Sequence, residues 1–222
     1  MAEASSTDRP LDEQVRLEIV DQVAWITIDR PEKGNALSPP CRDRIRDLIN
    51  ELNGSYAARA IVLTAAGDKL FCPGADLSHR VPSERPEGVP ERAVGDARRM
   101  MLDGQYTLFP AILDSELPII AAVNGTAAGM GAHLAFACDL VIAAEGTKFI
   151  EVFSRRGLVV DALGAYLLPR TIGLHKAKEL VLFADDLPVA EAERLGLVNK
   201  VVPRDELAAT AGEWAGRLAS GP

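Results

Sequence analysis

The stretch that most constrains the fold covers residues 119–144, where an apolar segment, a run of small residues and further apolar segments follow one another. Residues 119–123 are bounded by a proline and an Asn-Gly pair, which predicts a short buried strand that ends in a turn. Residues 133–138 are mostly apolar on every side, which predicts a buried helix. After Asp139, residues 140–144 predict another buried strand.

Between the first strand and the helix nearly every residue is small, with glycines at positions 129 and 131. Small residues at the mouth of a buried helix let a ligand approach the backbone closely. The free N–H groups of a first helical turn favour a developing negative charge, such as a carbonyl oxygen that becomes an enolate. Close packing of two helices explains the same glycines, so both interpretations stay open for this stretch alone.

A second stretch carries a recognisable motif. Residues 60–66 predict a strand, and after a turn comes Phe-Cys-Pro-Gly-Ala-Asp-Leu from Phe71. Together with Ala-Val-Asn-Gly-x-Ala-x-Gly-x-Gly from Ala122, this motif resembles the enoyl-CoA hydratase/isomerase (crotonase) superfamily. Further matching motifs begin at Arg30, Gly157 and Gly196. All of them lie in the family's order between about residues 15 and 207.

The resemblance implies an α/β fold, a crotonase-type (ClpP-like) spiral of βαβ units with a helical C-terminal region. The strands that carry Val62 and Val123 should neighbour the pocket. We expect a flexible N-terminal tail over 1–14, a core over 15–203, and the start of the C-terminal helical region over 204–222. Family members usually continue with helices that pack on a neighbouring subunit. A homotrimer or a dimer of trimers is therefore implied, although the short C-terminal region puts part of that surface and of the CoA site in doubt.

Local patterns predict the other elements that matter for the site. Residues 15–20 and 23–28 alternate around Asp21 and Gln22, which predicts an antiparallel hairpin. Ser38 followed by a proline predicts the start of a helix that runs to about Leu52. Residues 78–90 predict an irregular segment, and a helical pattern resumes near Glu91. Further predictions are helices over 172–183, over 190–195 and, capped by Asp205, to about Ala219.

Composition narrows the class of partner and the compartment. A chain of 222 residues with 48% apolar residues suffices for one domain with a sizeable core. Its net charge of −8 argues against nucleic acid and anionic membranes, and a site for polyanionic CoA must therefore gather cations locally. The three cysteines are scattered and lack metal-ligand spacing, so we expect reduced cytoplasmic thiols and no metal. No run reaches transmembrane length, and the polar start does not read as a signal peptide.

By resemblance, the backbone N–H groups of Ala75 and Met130 form an oxyanion hole for the thioester carbonyl. A backbone donor depends on chain path more than on its side chain, so it carries over with reasonable safety. CoA is part of the acyl-CoA substrate, and no separate cofactor is expected. The alternative for Lys33 is a solvated loop residue without a binding role, which is the more common case for a single lysine. The substrate- and CoA-binding residues implied are Lys33, Ala36, Leu37, Gly74, Ala75, Asp76, Leu77 and Gly129.

The catalytic pattern departs from that of the family's hydratases, which use two glutamates. The first glutamate position matches His133, and the second falls at or near Phe153, so neither glutamate is present. A subset of the family shows Phe-x-x-x-Phe-x-Arg-x-Gly-Leu-x-x-Asp, and residues 149–161 match it. In that subset the aspartate, here Asp161, serves as base or nucleophile. Hydration needs both a base and an acid, so a single aspartate favours double-bond isomerisation.

Alternatives remain for both candidate catalytic residues. Asp161 lies where the N-cap of the next helix is expected, and one residue can do both jobs. His133 is titratable near neutral pH and suits proton transfer, but a buried histidine held by a hydrogen bond is the more common arrangement. Two other functions stay open for the chain. One is a non-catalytic acyl-CoA-binding protein, and the other is an Asp-nucleophile hydrolase or dehalogenase-like member.

Apolar residues in the region after the irregular segment are candidates for the acyl pocket, because in the family this region covers the acyl chain. Methionines and aromatics at helical spacing are more often plain core, so both interpretations stay open. The candidates are Met100, Met101, Tyr106 and Phe109. Cys72 has no base near it in sequence and is interpreted as a small apolar filler. Glu145 and Glu151 are predicted to be solvated or ion-paired.

Overall fold

The computed structural model describes residues 9–78, Gly88 and residues 95–221. The strands are β1 Val15–Val20, β2 Val23–Ile28, β3 Ala60–Ala65, β4 Leu70–Cys72, β5 Ile119–Val123, β6 Thr126–Ala128, β7 Leu140–Ala144, β8 Lys148–Ile150, β9 Asp186–Pro188 and β10 Lys200–Val202. The helices are α1 Leu11–Gln14, α2 Pro39–Leu52, α3 Asp96–Leu102, α4 Gln105–Leu113, α5 Met130–Phe136, α6 Gly164–Ile172, α7 Leu174–Phe183, α8 Val189–Arg194 and α9 Leu207–Ala219. No helix within these described ranges is long and apolar enough to cross a membrane.

The larger sheet has the strand order β1-β2-β3-β5-β7-β10. β1 and β2 form the predicted hairpin, and both residues of its turn, Asp21 and Gln22, adopt positive φ as a tight hairpin turn requires. The remaining strands run parallel. One face packs on α2 and α4, and the other packs on the apolar face of α9, which includes Leu207 and Ala211. The central strands are covered on both sides, which explains why they are apolar without alternation.

The smaller sheet has the order β4-β6-β8-β9 and carries the loops of the site. β4 follows β3 closely in the chain, and β6 follows β5 in the same way. Because β8 also follows β7, the described chain passes three times from the larger sheet to the smaller one, along parallel neighbours. This repeated passage agrees with the α/β spiral of βαβ units predicted above.

Helix α2 forms as its sequence predicts. Ser38 is its N-cap, and the Ser38 side chain accepts a hydrogen bond from the N–H of Cys41. Pro39 occupies the first helical position, where its missing N–H is not needed. The predicted face, which carries Ile45, Leu48, Ile49 and Leu52, is buried.

Several predicted boundaries differ from the structure. The predicted helix over 172–183 begins two residues later, at Leu174, because Gly173 adopts φ +79 and separates α7 from α6, which ends at Ile172. Asp205 does not cap α9; it lies inside a 3-10 turn at 204–206, and Glu206 precedes the helix. In the predicted N-terminal tail, residues 11–14 form a helical turn, whereas residues 1–8 lie outside the described residues. Most of the predicted irregular segment and the helix start near Glu91 also lie outside them.

Candidate active site

Two free backbone N–H groups lie beyond the carboxyl ends of neighbouring parallel strands. Ala75 follows β4, Met130 begins α5 after β6, and β4 pairs with β6 in parallel. The two loops are in contact, since a Cβ atom built on Gly74 would lie only 3.4 Å from the Met130 nitrogen. Within the described residues neither N–H has a hydrogen-bond acceptor. The arrangement leaves both donors available to a ligand.

Close backbone approach explains the two glycines of this region. A Cβ on Gly131 would lie 2.0 Å from the carbonyl oxygen of Cys72, so α5 can pack on the end of β4 only with glycine here. Gly129 adopts φ +51 and faces the side chains of Val152 and Phe153. Packing is therefore part of the reason for both glycines, and it is the packing of a helix on a strand end rather than on another helix. The same packing fixes the Met130 nitrogen beside the Gly74 loop.

The predicted CoA-binding segments meet at this point. The N–H of Leu37 donates to the Gly74 carbonyl oxygen, and the N–H of Asp76 donates to the Leu37 carbonyl oxygen, both at 2.9 Å. Arg30, which sequence reasoning left without a role, is 6% exposed and binds the Ala36 carbonyl oxygen and the Asp76 carboxylate. Arg30 therefore holds the two loops together.

The Asp76 carboxylate is committed to the protein itself. One of its oxygens lies 3.1 Å from Arg30 Nη2, and the other accepts hydrogen bonds from the N–H and hydroxyl of Ser78. Burial would raise the pKa of Asp76, but the hydrogen bonds from Ser78 and the nearby Arg30 outweigh it and lower that pKa. Any contact between Asp76 and CoA should therefore be made by the Asp76 backbone. Of the other predicted CoA residues, Ala36 and Leu37 have buried side chains, and those of Lys33 and Leu77 are exposed.

A mostly apolar cavity of about 330 Å³ lies between α4 and the start of α6. Of the predicted acyl-pocket residues, Met101, Tyr106 and Phe109 line it, and the side chain of Met100 lies outside the described residues. Asp161 is the one carboxylic acid among the described residues that line the cavity. The remaining lining residues are Gln105, Pro110, Leu113, Val160, Ala162, Leu163, Ala165 and Tyr166.

The predicted N-cap role of Asp161 is wrong. Helix α6 begins at Gly164, with Leu163 at its N-cap position and no side-chain cap. Ala162 and Leu163 both adopt positive φ, at 46° and 67°, and turn the chain between Asp161 and the helix. Non-glycine residues rarely take this conformation, so a local pattern does not predict it. The Asp161 carboxyl instead reaches the cavity, where Oδ2 accepts a 3.5 Å hydrogen bond from Gln105 Nε2.

The surroundings of Asp161 make its carboxyl a stronger base than usual. Burial raises the pKa of Asp161, and the negative charge of Glu151 adds to that rise. The Gln105 hydrogen bond and the charge of His133 lower that pKa without cancelling the rise. Asp161 Oδ1 is buried and has no partner within the described residues. Such an orphaned acceptor beside an apolar cavity is typical of a site that receives a ligand group.

His133 lies behind the cavity and does not line it. Its side chain is 0% exposed, and its Nε2 lies 3.0 Å from both carboxylate oxygens of Glu151. Phe153 stacks on the imidazole, with ring centroids 5.5 Å apart and 10° between the planes. Of the two interpretations of His133, the structure favours a buried histidine held by a hydrogen bond.

Sequence reasoning underestimated Glu151 and missed Gln105. Glu151 is buried and its carboxylate contacts His133 at 3.0 Å, so it is not solvated, and its predicted ion pair stays a prediction. The sequence signal that could have identified a buried Glu151 is its position directly after the apolar pair Phe149 and Ile150. Cys72 is buried, and burial raises the pKa of its thiol to about 12, which agrees with a filler and not with a nucleophile.

Comparison with known proteins identifies relatives across nearly the whole chain. Residues 18–222 match the family model described as enoyl-CoA hydratase/isomerase. A probable enoyl-CoA hydratase of Rhodobacter capsulatus is 40% identical over 209 residues, which cover 94% of this chain and 76% of that protein. The 1,2-epoxyphenylacetyl-CoA isomerase of Escherichia coli is 35% identical over 201 residues, covering 90% of this chain and 74% of the relative. The crystal structure of an enoyl-CoA hydratase from Bacillus anthracis superposes with a TM-score of 0.84 at 32% identity, covering 94% of this chain and 77% of that one.

Proposed function

Because the chain belongs to the enoyl-CoA hydratase/isomerase (crotonase) family, we propose that this enzyme binds acyl-CoA thioesters and moves a double bond along the acyl chain. Family membership itself supports the processing of acyl-CoA. The preference for isomerisation over hydration comes from the residues of the site. The relatives include a protein named as a probable enoyl-CoA hydratase and one named as a 1,2-epoxyphenylacetyl-CoA isomerase, whose named substrate is an epoxide, so the names do not decide the reaction.

In the proposed reaction Asp161 is the only acid–base group. Its carboxylate removes a proton from C2 of a 3-enoyl thioester, and the electrons of that C–H bond form the enolate. The enolate oxygen accepts hydrogen bonds from the N–H groups of Ala75 and Met130, neither of which has an acceptor within the described residues. The protonated Asp161 then returns the proton to C4, and the double bond moves to C2–C3. The proton returns to the substrate, so no water is consumed.

The observation that carries this proposal is the placement of acids around the cavity. Asp161 is the one carboxylic acid among the described lining residues, with a raised pKa that suits a general base. The two positions that match the hydratase glutamates hold His133 and Phe153, whose stacked rings are buried. A second carboxylate for water activation is therefore missing from this arrangement.

The substrate fits the remaining features of the site. We assign the acyl chain to the apolar cavity beside Asp161, and the thioester to the Ala75 and Met130 amides. A second cavity of about 150 Å³ lies between the loop that contains Lys33 and residues 66–70. Lys69 lines this cavity together with Asp68, and the exposed Lys33 belongs to the neighbouring loop, so we assign the nucleotide end of CoA to this place.

We also propose that the protein assembles as a homotrimer or a dimer of trimers, as the family resemblance implies. Large apolar side chains are exposed on one segment, including Leu182 at 68% and Phe183 at 70%. Exposed apolar groups of this size support burial in an assembly. Sedimentation of the purified protein measures the mass directly, and a monomer at micromolar concentration contradicts this part of the proposal alone.

The function is tested with purified protein and matched 3-enoyl and 2-enoyl thioesters, while absorbance and free CoA are followed. We expect conversion of the 3-enoyl to the 2-enoyl thioester, slow or no hydration, and no release of CoA. Asp161→Asn should lower isomerase kcat by about 10²–10⁴ with acyl-CoA affinity nearly unchanged. The exposed Asp114→Asn serves as the matched control and should retain wild-type kcat.

Three outcomes contradict the proposal in different ways. Rapid hydration that survives in Asp161→Asn shows that another group performs the acid–base chemistry. Release of CoA that depends on Asp161 shows a nucleophilic route. Tight binding of thioesters by calorimetry without any turnover shows a non-catalytic acyl-CoA-binding protein.

A further inference from the structure

Glu151 and His133 form a buried pair that the proposed isomerisation does not use. Both oxygens of the carboxylate lie 3.0 Å from His133 Nε2, and the two side chains are 5% and 0% exposed. A buried ion pair often stabilises a protein no more than an apolar pair of the same volume, because both charges lose water. Stability alone therefore explains the presence of the pair poorly. The His133 ring also contacts Gly164, at the end of the turn that follows Asp161.

Glu151 determines how the imidazole presents its nitrogens. An ionised carboxylate only accepts hydrogen bonds, so Nε2 must carry the proton that it donates to Glu151. His133 Nδ1 is buried without a partner within the described residues. The ring is confined between Phe153 on one side and the backbone of α6 on another. The imidazole is thus fixed in one position and bound at one nitrogen.

The imidazole supports the turn that carries Asp161. A Cβ built on Gly164 would lie 2.2 Å from His133 Cε1 and 2.3 Å from Nε2, so the ring lies directly against the start of α6. The N–H of Gly164 donates to the Asp161 carbonyl oxygen at 2.8 Å. Ala162 and Leu163 between them hold left-handed conformations, which are unfavourable for residues other than glycine and persist only where the surroundings impose them.

We propose that Glu151 and His133 act together as positioning residues for Asp161. Glu151 holds the imidazole at Nε2, and the imidazole supports the turn at Gly164 that places the Asp161 carboxyl in the cavity. This inference rests on the proposed function, because it takes Asp161 to be the base. Neither member of the pair touches the substrate in this arrangement.

The pair also acts on the charge of Asp161. Burial is the largest influence on the pKa of Asp161 and raises it, the charge of His133 lowers that pKa, and the charge of Glu151 raises it less than His133 lowers it. We therefore expect His133→Gln, which removes that charge, to raise the pKa of Asp161. The polar and titratable groups around the Asp161 carboxyl are Gln105 of α4, His133 of α5, Glu151 after β8, and the cavity-lining Tyr106 and Tyr166.

A double-mutant cycle tests the proposal, with His133→Gln, Glu151→Gln, the double variant and the exposed Glu145→Gln as control. We expect each single variant to lower isomerase kcat about tenfold with KM changed less than about threefold, since the base is misplaced but binding is not. The double variant should lose no more than His133→Gln alone, because Glu151 acts through His133. Glu145→Gln should match wild type.

A pH titration adds a measurement that a simple loss of packing would leave unchanged. The acid limb of kcat/KM should shift to higher pH in His133→Gln, and the carboxyl-carbon NMR titration of Asp161 should shift the same way. Unchanged kcat in Glu151→Gln, multiplied losses in the double variant, or an unmoved Asp161 titration would each overturn the proposal. If wild type lacks isomerase turnover, the proposed function fails, and the NMR titration alone still decides whether the pair acts on Asp161.

Discussion

Replacing Gly131 by alanine moves the two proposed oxyanion donors apart. The added Cβ would lie 2.0 Å from the Cys72 carbonyl oxygen, whereas such contacts are essentially never found below 3.0 Å, so a displacement of about 1 Å is required. The contacted atom is backbone at the end of β4 and cannot rotate away. Because Met130 begins α5 and Ala75 follows β4, the displacement falls between the two N–H groups.

The size of the effect follows from this displacement. A misplacement of about 1 Å can lower a catalytic rate about 10²-fold, and loss of one oxyanion donor lowers kcat by about 10²–10³. We therefore expect Gly131→Ala to lower isomerase kcat about 100-fold. Alanine favours a helix over glycine by about 1 kcal/mol, but overpacking costs about 1–3 kcal/mol, so the free energy of unfolding should fall.

Gly216→Ala is the matched control, since Gly216 also lies in a helix but has open space around its Cβ position. It should retain wild-type kcat and gain up to about 1 kcal/mol in urea unfolding. Steady-state kinetics on the 3-enoyl thioester and urea unfolding are measured on all three proteins. A Gly131→Ala protein with kcat within about twofold of wild type would refute the reasoning, because the close approach would then not set the donor geometry.

Three further predictions concern Asp161 and its support. Isomerase kcat/KM should fall as pH decreases through the raised pKa of Asp161, with a midpoint above the ordinary aspartate value of 3.8, and a pH–rate profile with a midpoint below that value contradicts the basic carboxylate. Asp161→Asn should increase the free energy of unfolding at pH 7 by up to about 1 kcal/mol, because burial disfavours the ionised carboxyl in the folded state and solvent screening reduces that penalty at a half-buried group. That gain should vanish in urea unfolding below about pH 4, where the carboxyl is protonated in both states. Gly164→Ala should lower kcat about tenfold or more, because its Cβ displaces the His133 ring, and wild-type kinetics would show that the ring position does not matter.

Sequence predicts those parts of the fold that local chemistry determines. β3 and β5 are recognisable because each is a short apolar run bounded by turn residues, and both form at their predicted places. Helix α2 begins at its Ser38 cap for the same reason. Family resemblance also predicts the Ala75 and Met130 amides as oxyanion donors, and the structure leaves both N–H groups without an acceptor within the described residues. The fold that the resemblance implied, an α/β crotonase fold, is the one found in the solved relatives.

The rest depends on contacts between residues that are distant in sequence. Glu151 pairs with His133 across 18 positions, and Arg30 binds Asp76 across 46, so neither partner is visible in a local pattern. The prediction that Asp161 caps α6 failed for another reason. The turn that follows Asp161 needs two consecutive non-glycine residues in the left-handed region, which local preference disfavours and tertiary packing imposes.

The stacking of His133 on Phe153 connects the departure from the hydratase pattern to the proposed chemistry. These residues occupy the positions that match the family's two glutamates, and their rings lie nearly parallel and buried behind the cavity. In the proposed mechanism these two positions take no part in proton transfer, since neither residue lines the cavity. The Asp161 carboxyl then faces the cavity as its single described acid, with a raised pKa and Gln105 as its hydrogen-bond donor. One base that can both remove and return a proton suits isomerisation, and syn addition of water would need a second group that these positions no longer supply.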